Sequence, residues 1–178
     1  ALENTTGGDG RSYVRVGLKG CGAGNPEFGL PALPVISWTL EIPSGATPAV
    51  SVTAESFGER LLSRWVYPQQ PPAPKNGVAK DSLPFEVDLD YYTGARVSAK
   101  RLIPGETEFE TMQYVAGGKT YVNIIVRPCE YEPVSGLLRY PKSLLVQAEC
   151  VPPQLPAAAG PRLGRILVVE TTITDIAQ

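Results

Sequence analysis

One feature limits the fold more than any other: apolar and polar side chains alternate every second residue, run after run, and each run is cut by glycine or proline. In residues 35–42, Ile36, Trp38, Leu40 and Ile42 alternate with Val35, Ser37, Thr39 and Glu41. An extended strand turns successive side chains to opposite faces, so a run of this kind buries one face and wets the other. Residues 12–19 repeat the pattern with Val14, Val16 and Leu18, and residues 49–55 with Val50, Val52 and Ala54. Residues 109–114, 120–131 and 137–149 read as successive strands, with Gly117-Gly118 turning between the first two. Residues 85–90 resume the alternation, residues 95–103 fit a further strand, and residues 57–66 fit either a short helix or a strand. Eighteen glycines and eighteen prolines in 178 residues favour many turns and short strands over long helices. About eight to ten strands with no clear helix predict an all-β chain, an antiparallel two-sheet β-sandwich.

Composition removes several classes of function. Hydrophobic residues make up 43% and charged residues 19%, which suits a globular domain with a real core. The chain has no histidine. Ser-His-Asp and Cys-His catalysis and imidazole metal ligation therefore have no means. No catalytic residue, metal site or cofactor is assigned, and the chain is expected not to be an enzyme. The net charge is −2 with no basic block, so a nucleic-acid backbone has no electrostatic reason to bind. No stretch of about 18 apolar residues exists to span a membrane. The glycines of residues 20–24 do not form a G-x-G-x-x-G phosphate cradle.

The chain divides into three parts. Residues 1–150 form the predicted sandwich, residues 151–164 (VPPQLPAAAGPRLG) a Pro/Ala linker, and residues 165–178 a β-branched strand segment. That last segment can dock on its own domain as an edge strand or pair with another chain. Inside the first part, residues 67–83 (YPQQPPAPKNGVAKDSL) hold four prolines and a Lys-Asn-Gly turn signal. Proline stiffens the chain and prevents ladder pairing, so this is a long loop, and a long loop in a compact domain is usually functional or disordered. The polar start, ALENTTGGDG, fits a chain that begins after cleavage at a small residue, or an arbitrary boundary.

Two motifs carry a family resemblance. The first is Gly29-Leu30-Pro31-Ala32-Leu33-Pro34-Val35 before the strand of residues 35–42. The second is Pro128-Cys129-Glu130-Tyr131-Glu132-Pro133-Val134-Ser135-Gly136-Leu137-Leu138, which reads as a hairpin. In this order, with a proline-rich loop between them, they resemble the N-terminal propeptide of gingipain-type cysteine peptidases. The similarity runs from about residue 13 to residue 149 and is best at the two motifs. It implies a two-sheet sandwich with jelly-roll character, and a strand rather than a helix at residues 57–66. It implies a secreted or cell-surface bacterial protein, exported through the periplasm, that binds, inhibits and assists the folding of a cognate cysteine peptidase catalytic domain. In that family a basic side chain on the long loop enters the peptidase's specificity pocket. Here the loop offers Lys75 and Lys80 as protease-inhibitory candidates, Lys75 first because it adjoins the Asn-Gly turn. One departure stands at Gln178, after which a basic-specific peptidase would not cut, with Arg162 and Arg165 upstream: a trimmed boundary, a different processing enzyme or a cognate enzyme of another specificity would each account for it. Two other readings compete. One is an extracellular filament or surface subunit that self-assembles through residues 165–178. The other is a ligand- or carbohydrate-binding sandwich, which would expose Trp38 and Trp65 in a groove.

Smaller signals complete the reading. Cys21, Cys129 and Cys150 lack metal-ligand spacing. If residues 120–131 and 137–149 pair as one hairpin, Cys129 lies near Arg139 or Tyr140, and Cys150 near Thr120. That disfavours a bond between those two and leaves either a disulfide of Cys21 with Cys129 or Cys150, or three buried thiols. Glu86, Asp88 and Asp90, and likewise Glu106, Glu108 and Glu110, would share strand faces and read as solvated. Ser82, in Asp81-Ser82-Leu83, matches a short bacterial O-glycosylation pattern, and Asn4-Thr5-Thr6 is an N-glycosylation sequon.

Overall fold

The computed structural model describes residues 1–18, 21–24, 27–72, 83–96, 107–151 and 166–172. Its described residues contain eleven strands and one helical turn, so the all-β expectation holds. Nine-residue β4 (Pro34–Ile42) lies beside β8 (Lys119–Arg127), which also pairs with β7 (Glu108–Ala116). With the short β3 (Gly22–Ala23) they form a sheet in the order β3-β4-β8-β7. The second large sheet is built on β10 (Leu137–Val151). One of its edges pairs with β5 (Thr47–Leu61), and the other with β9 (Glu130–Glu132) and then β11 (Ile166–Thr172). A third, small sheet joins β1 (Leu2–Thr6), β2 (Ser12–Val16) and β6 (Trp65–Val66).

The two large sheets close on each other through the faces that alternation selects. Val122, Ile124 and Val126 of β8 and Ile42 of β4 meet Leu144, Val146 and Ala148 of β10, all at most 4% exposed. Each such valine, leucine or isoleucine side chain contributes about 1.5–3 kcal/mol by leaving water. A second cluster lies under the small sheet and gathers Val14, Val16, Leu18, Ile36, Val66, Tyr92, Cys129, Tyr131 and Leu138. Trp38 packs against both clusters.

Two expectations are corrected, and a third is met in altered form. Strands β8 and β10 do not pair; they face each other across the core. Only the short stretch at the turn is a hairpin, with Glu132 opposite Leu137 and Glu130 opposite Arg139. Its register keeps Cys129 near Tyr140, but Cys150 lies opposite Pro48, and Thr120 opposite Ile42. The break is at buried Pro128, which has no N–H to continue the β8 ladder, and there the chain crosses from one sheet to the other. Residues 57–66 are strand, as the resemblance implies, but split between the end of β5 and β6. Residues 85–90 are not a strand: Asp88 caps a single helical turn, α1 (Leu89–Tyr92), by accepting from the Tyr91 N–H at 3.0 Å. Glu86, Asp88 and Asp90 thus share no strand face. Proline also marks β10 itself: the ladder to β5 shifts register between Pro141 and Ser143.

Candidate functional site

Lys75, Lys80 and Ser82 lie outside the described residues, so the geometry bears on the base from which residues 73–82 start and return. That base is tightly held. On the incoming side, the Tyr67 N–H donates to the Val14 carbonyl at 2.8 Å, and Pro68 bridges to Pro31. Gln69 exchanges backbone bonds with the first motif: its carbonyl accepts from the Gly29 N–H at 2.9 Å, and its N–H donates to the Leu30 carbonyl at 2.7 Å. The Ala32 N–H adds a bond to the Tyr67 carbonyl at 2.9 Å. On the returning side, the Asp88 N–H donates to the Gly29 carbonyl at 3.1 Å.

Gly29 explains the glycine of the first motif. Its φ is +83°, and a β-carbon there would stand 3.0 Å from the Asp88 nitrogen. Only glycine accepts both that conformation and that approach without strain. The motif is therefore a floor that holds both ends of the loop.

Gln70 joins the two ends directly. Its Nε2 donates to the Glu86 carbonyl at 2.7 Å, and its Oε1 accepts from the Glu86 N–H at 3.0 Å. One side-chain amide thus mimics a strand partner for a single residue on the far side of the loop. The same Nε2 lies 3.1 Å from the Pro68 carbonyl. Above this clamp, Tyr13, Tyr67 and Phe85 set their rings 5.6–5.8 Å apart in tilted and edge-on contacts. The Arg15 guanidinium lies 3.9 Å from the centre of the Tyr67 ring. Tyr13 is fully buried, and its hydroxyl donates to Asp9 Oδ2 at 2.7 Å. Burial first, and the Asp9 carboxylate second, push its phenol up to about 12.

The second motif supports the same region from behind. The Tyr91 hydroxyl donates to the Tyr131 carbonyl at 2.8 Å, and the Tyr92 hydroxyl to the Val66 carbonyl at 2.6 Å. Helix α1 is thereby tied to β9 and β6. Arg96 pairs with Asp88 at 2.9 Å and with Glu27 at 3.5 Å. The Tyr91 amide, followed by Arg96, holds the Asp88 carboxyl below the usual carboxylate range. Gly136 closes the hairpin with φ +72°, and its carbonyl accepts from the Leu62 N–H at 2.8 Å.

The other candidates separate. Trp38 and Trp65 are both half-buried, and the Trp65 ring lies 5.0 Å from that of Tyr92, tilted by 34°. Glu110 is ion-paired with Arg127 at 2.9 Å on the outer face of the β7–β8 pair. No cluster of metal-ligating side chains occurs among the described residues, and no helix among them is long and apolar enough to cross a membrane. Asn4 is exposed on β1. All three cysteines are thiols, Cys129 buried and Cys21 and Cys150 half-buried. Sequence reasoning missed Gln70 altogether. An uncharged amide between prolines carries no pattern, and its partners are backbone atoms sixteen residues on.

The described residues define an antiparallel β-sandwich in which the segments flanking residues 73–82 are hydrogen-bonded to each other and to the first motif. Comparison with solved structures is more specific. A structure addressing the zymogenic latency of gingipain K from Porphyromonas gingivalis superimposes with TM-score 0.63 at 23% identity, covering 85% of this chain and 81% of the other. A complex of Porphyromonas gingivalis RgpB pro- and mature domains matches with TM-score 0.61 at 19% identity, covering 83% and 72%. The chain has the fold of a gingipain-type prodomain. No family model and no curated protein matches it by sequence.

Proposed function

We propose that this chain is the prodomain of a gingipain-like cysteine peptidase: it binds the catalytic domain, holds it latent and assists its folding. The observation that carries the reading is the match, over more than four-fifths of the chain, to structures concerned with gingipain latency and with a pro–mature complex. The clamped loop base supports it. A loop that starts from two hydrogen-bonded ends loses less freedom on docking than one on a loose stem. Residues 73–82 then present Lys75, and secondarily Lys80, as a substrate-like cation to a pocket lined by a carboxylate. The chain itself performs no hydrolysis, and it acts outside the bacterial cytoplasm, where its peptidase is secreted.

Against filament assembly through residues 165–178 stands β11, which completes the edge of β10 in its own chain. The test is an inhibition assay on the cognate peptidase with the wild-type chain, Lys75→Ala and Lys80→Ala. Wild type should inhibit, Lys75→Ala should lose about 2–5 kcal/mol of binding, as expected when one partner of a desolvated charge pair is truncated, and Lys80→Ala should lose less. Full inhibition by both variants would remove the lysine mechanism, and no inhibition by wild type would remove the function.

A further inference from the structure

Two of the three cysteines, far apart in sequence, belong to one core cluster. Cys21 immediately precedes β3, whose Gly22 pairs with Val35 of β4, and β4 in turn pairs Ile36 with Val126 of β8. Cys129 follows β8 at the crossing between sheets. Cys129 belongs to the core cluster with Val16, Leu18, Ile36 and Tyr131, and Cys21 packs against that same cluster. Cys150 packs against the other cluster, between the large sheets. Cys21 also lines a cleft of about 250 Å³ with Glu3, Arg15, Leu18, Ala32 and Tyr67, so a reagent can reach it from solvent. Burial pushes the Cys129 thiol up to about 12, with Cys21 adding to the shift.

We infer that Cys21 and Cys129 close a disulfide when the folded chain meets a disulfide oxidant, while Cys150 remains a thiol. The Cys21 thiolate attacks one sulfur of the oxidant's disulfide, forms a mixed disulfide and expels the first oxidant thiolate. Cys129 then loses its proton and attacks the Cys21 sulfur, forming the internal bond and expelling the second thiolate. The pair gives up two electrons and two protons, and the oxidant becomes two thiols. Cys21 is the attacking sulfur because it is reachable. Its own thiol is raised by burial, so exchange should accelerate as pH rises from 7 to 9. The bond would pin the connection between β2 and β3 to the crossing between β8 and β9, and close a loop of about 100 residues in the unfolded chain.

The test uses the whole reduced chain, incubated with oxidised glutathione under native conditions, then unfolded, alkylated and mapped by mass spectrometry. The expected result is a Cys21–Cys129 linked peptide, one alkylated thiol at Cys150, and a Tm about 5–15 °C above that of the reduced chain. Cys150→Ser should still close the bond, and Cys21→Ser should leave Cys129 reduced. Three alkylated thiols, a bond to Cys150, or a glutathione adduct persisting on Cys21 would each overturn the inference. Mapping the wild-type chain gives the answer even if a variant fails to fold.

Discussion

Ile124 and Ile125 are neighbours on β8, and the fold gives them opposite fates. Ile124 is 1% exposed, lies opposite Trp38 on one side and Thr111 on the other, and packs with Val122, Val126, Leu144 and Val146 between the sheets. Ile125 points to the outer face and is half-buried. Ile124→Ala removes a branched side chain from a site flanked by strands on both sides, where the surroundings can collapse little. The loss should fall in the upper part of the usual 2–5 kcal/mol, about 3–4 kcal/mol. For a chain of this size that lowers Tm by roughly 6–15 °C. Ile125→Ala should cost about 1 kcal/mol or less. Urea unfolding of both variants decides, provided the m-values match wild type, so that the difference reads stability alone. Equal losses, or a larger loss at Ile125, would mean that β8 presents the wrong face to the core.

Two further outcomes follow. Gln70→Ala strips partners from both backbone groups of Glu86; it should cost about 1–3 kcal/mol and speed proteolytic nicking within residues 73–82, which gel mapping after brief digestion reads. Alkaline stability should fall in a defined window. Cys129 is raised from 9.0, and Tyr13, Tyr91 and Tyr131 from 10.0, each to about 12, chiefly by burial. Folding then holds these protons more tightly than the unfolded chain does. Their stabilisation is complete below about pH 9 and disappears as pH climbs toward 12. Urea midpoints measured from pH 8 to 12 should decline across that range, and a flat profile would contradict the buried phenols.

Alternation made most of the architecture legible. β2, β4, β5, β8 and β10 all fall where apolar residues recur at every second position, and the buried faces of β8 and β10 are those the pattern selects. Alternation cannot tell strands that pair from strands that face each other, because both arrangements bury the same side chains. The separation of β8 from β10 turned on Pro128 and one crossing. β1 escaped notice because its residues are largely polar, its place being held by the ladder to β2 from Leu2–Val16 to Thr6–Ser12. β3 and β6 are two residues each, too short for any period. Helix α1 hid inside an apparent strand pattern, its true signal being Asp88 as N-cap. The first motif was recognisable, but its role as the floor of a clamp depends on Gly29 meeting Gln69 and Asp88, segments about 40 and 60 residues away.

The central claim is that this fold binds a peptidase catalytic domain. Isothermal titration of the chain into the cognate gingipain-like catalytic domain, with its catalytic cysteine blocked to prevent digestion, tests it most directly. The account predicts a one-to-one complex with a Kd below about 1 μM, as expected for an interface of ordinary size. Absence of any binding at about 100 μM, with both partners folded, would contradict it.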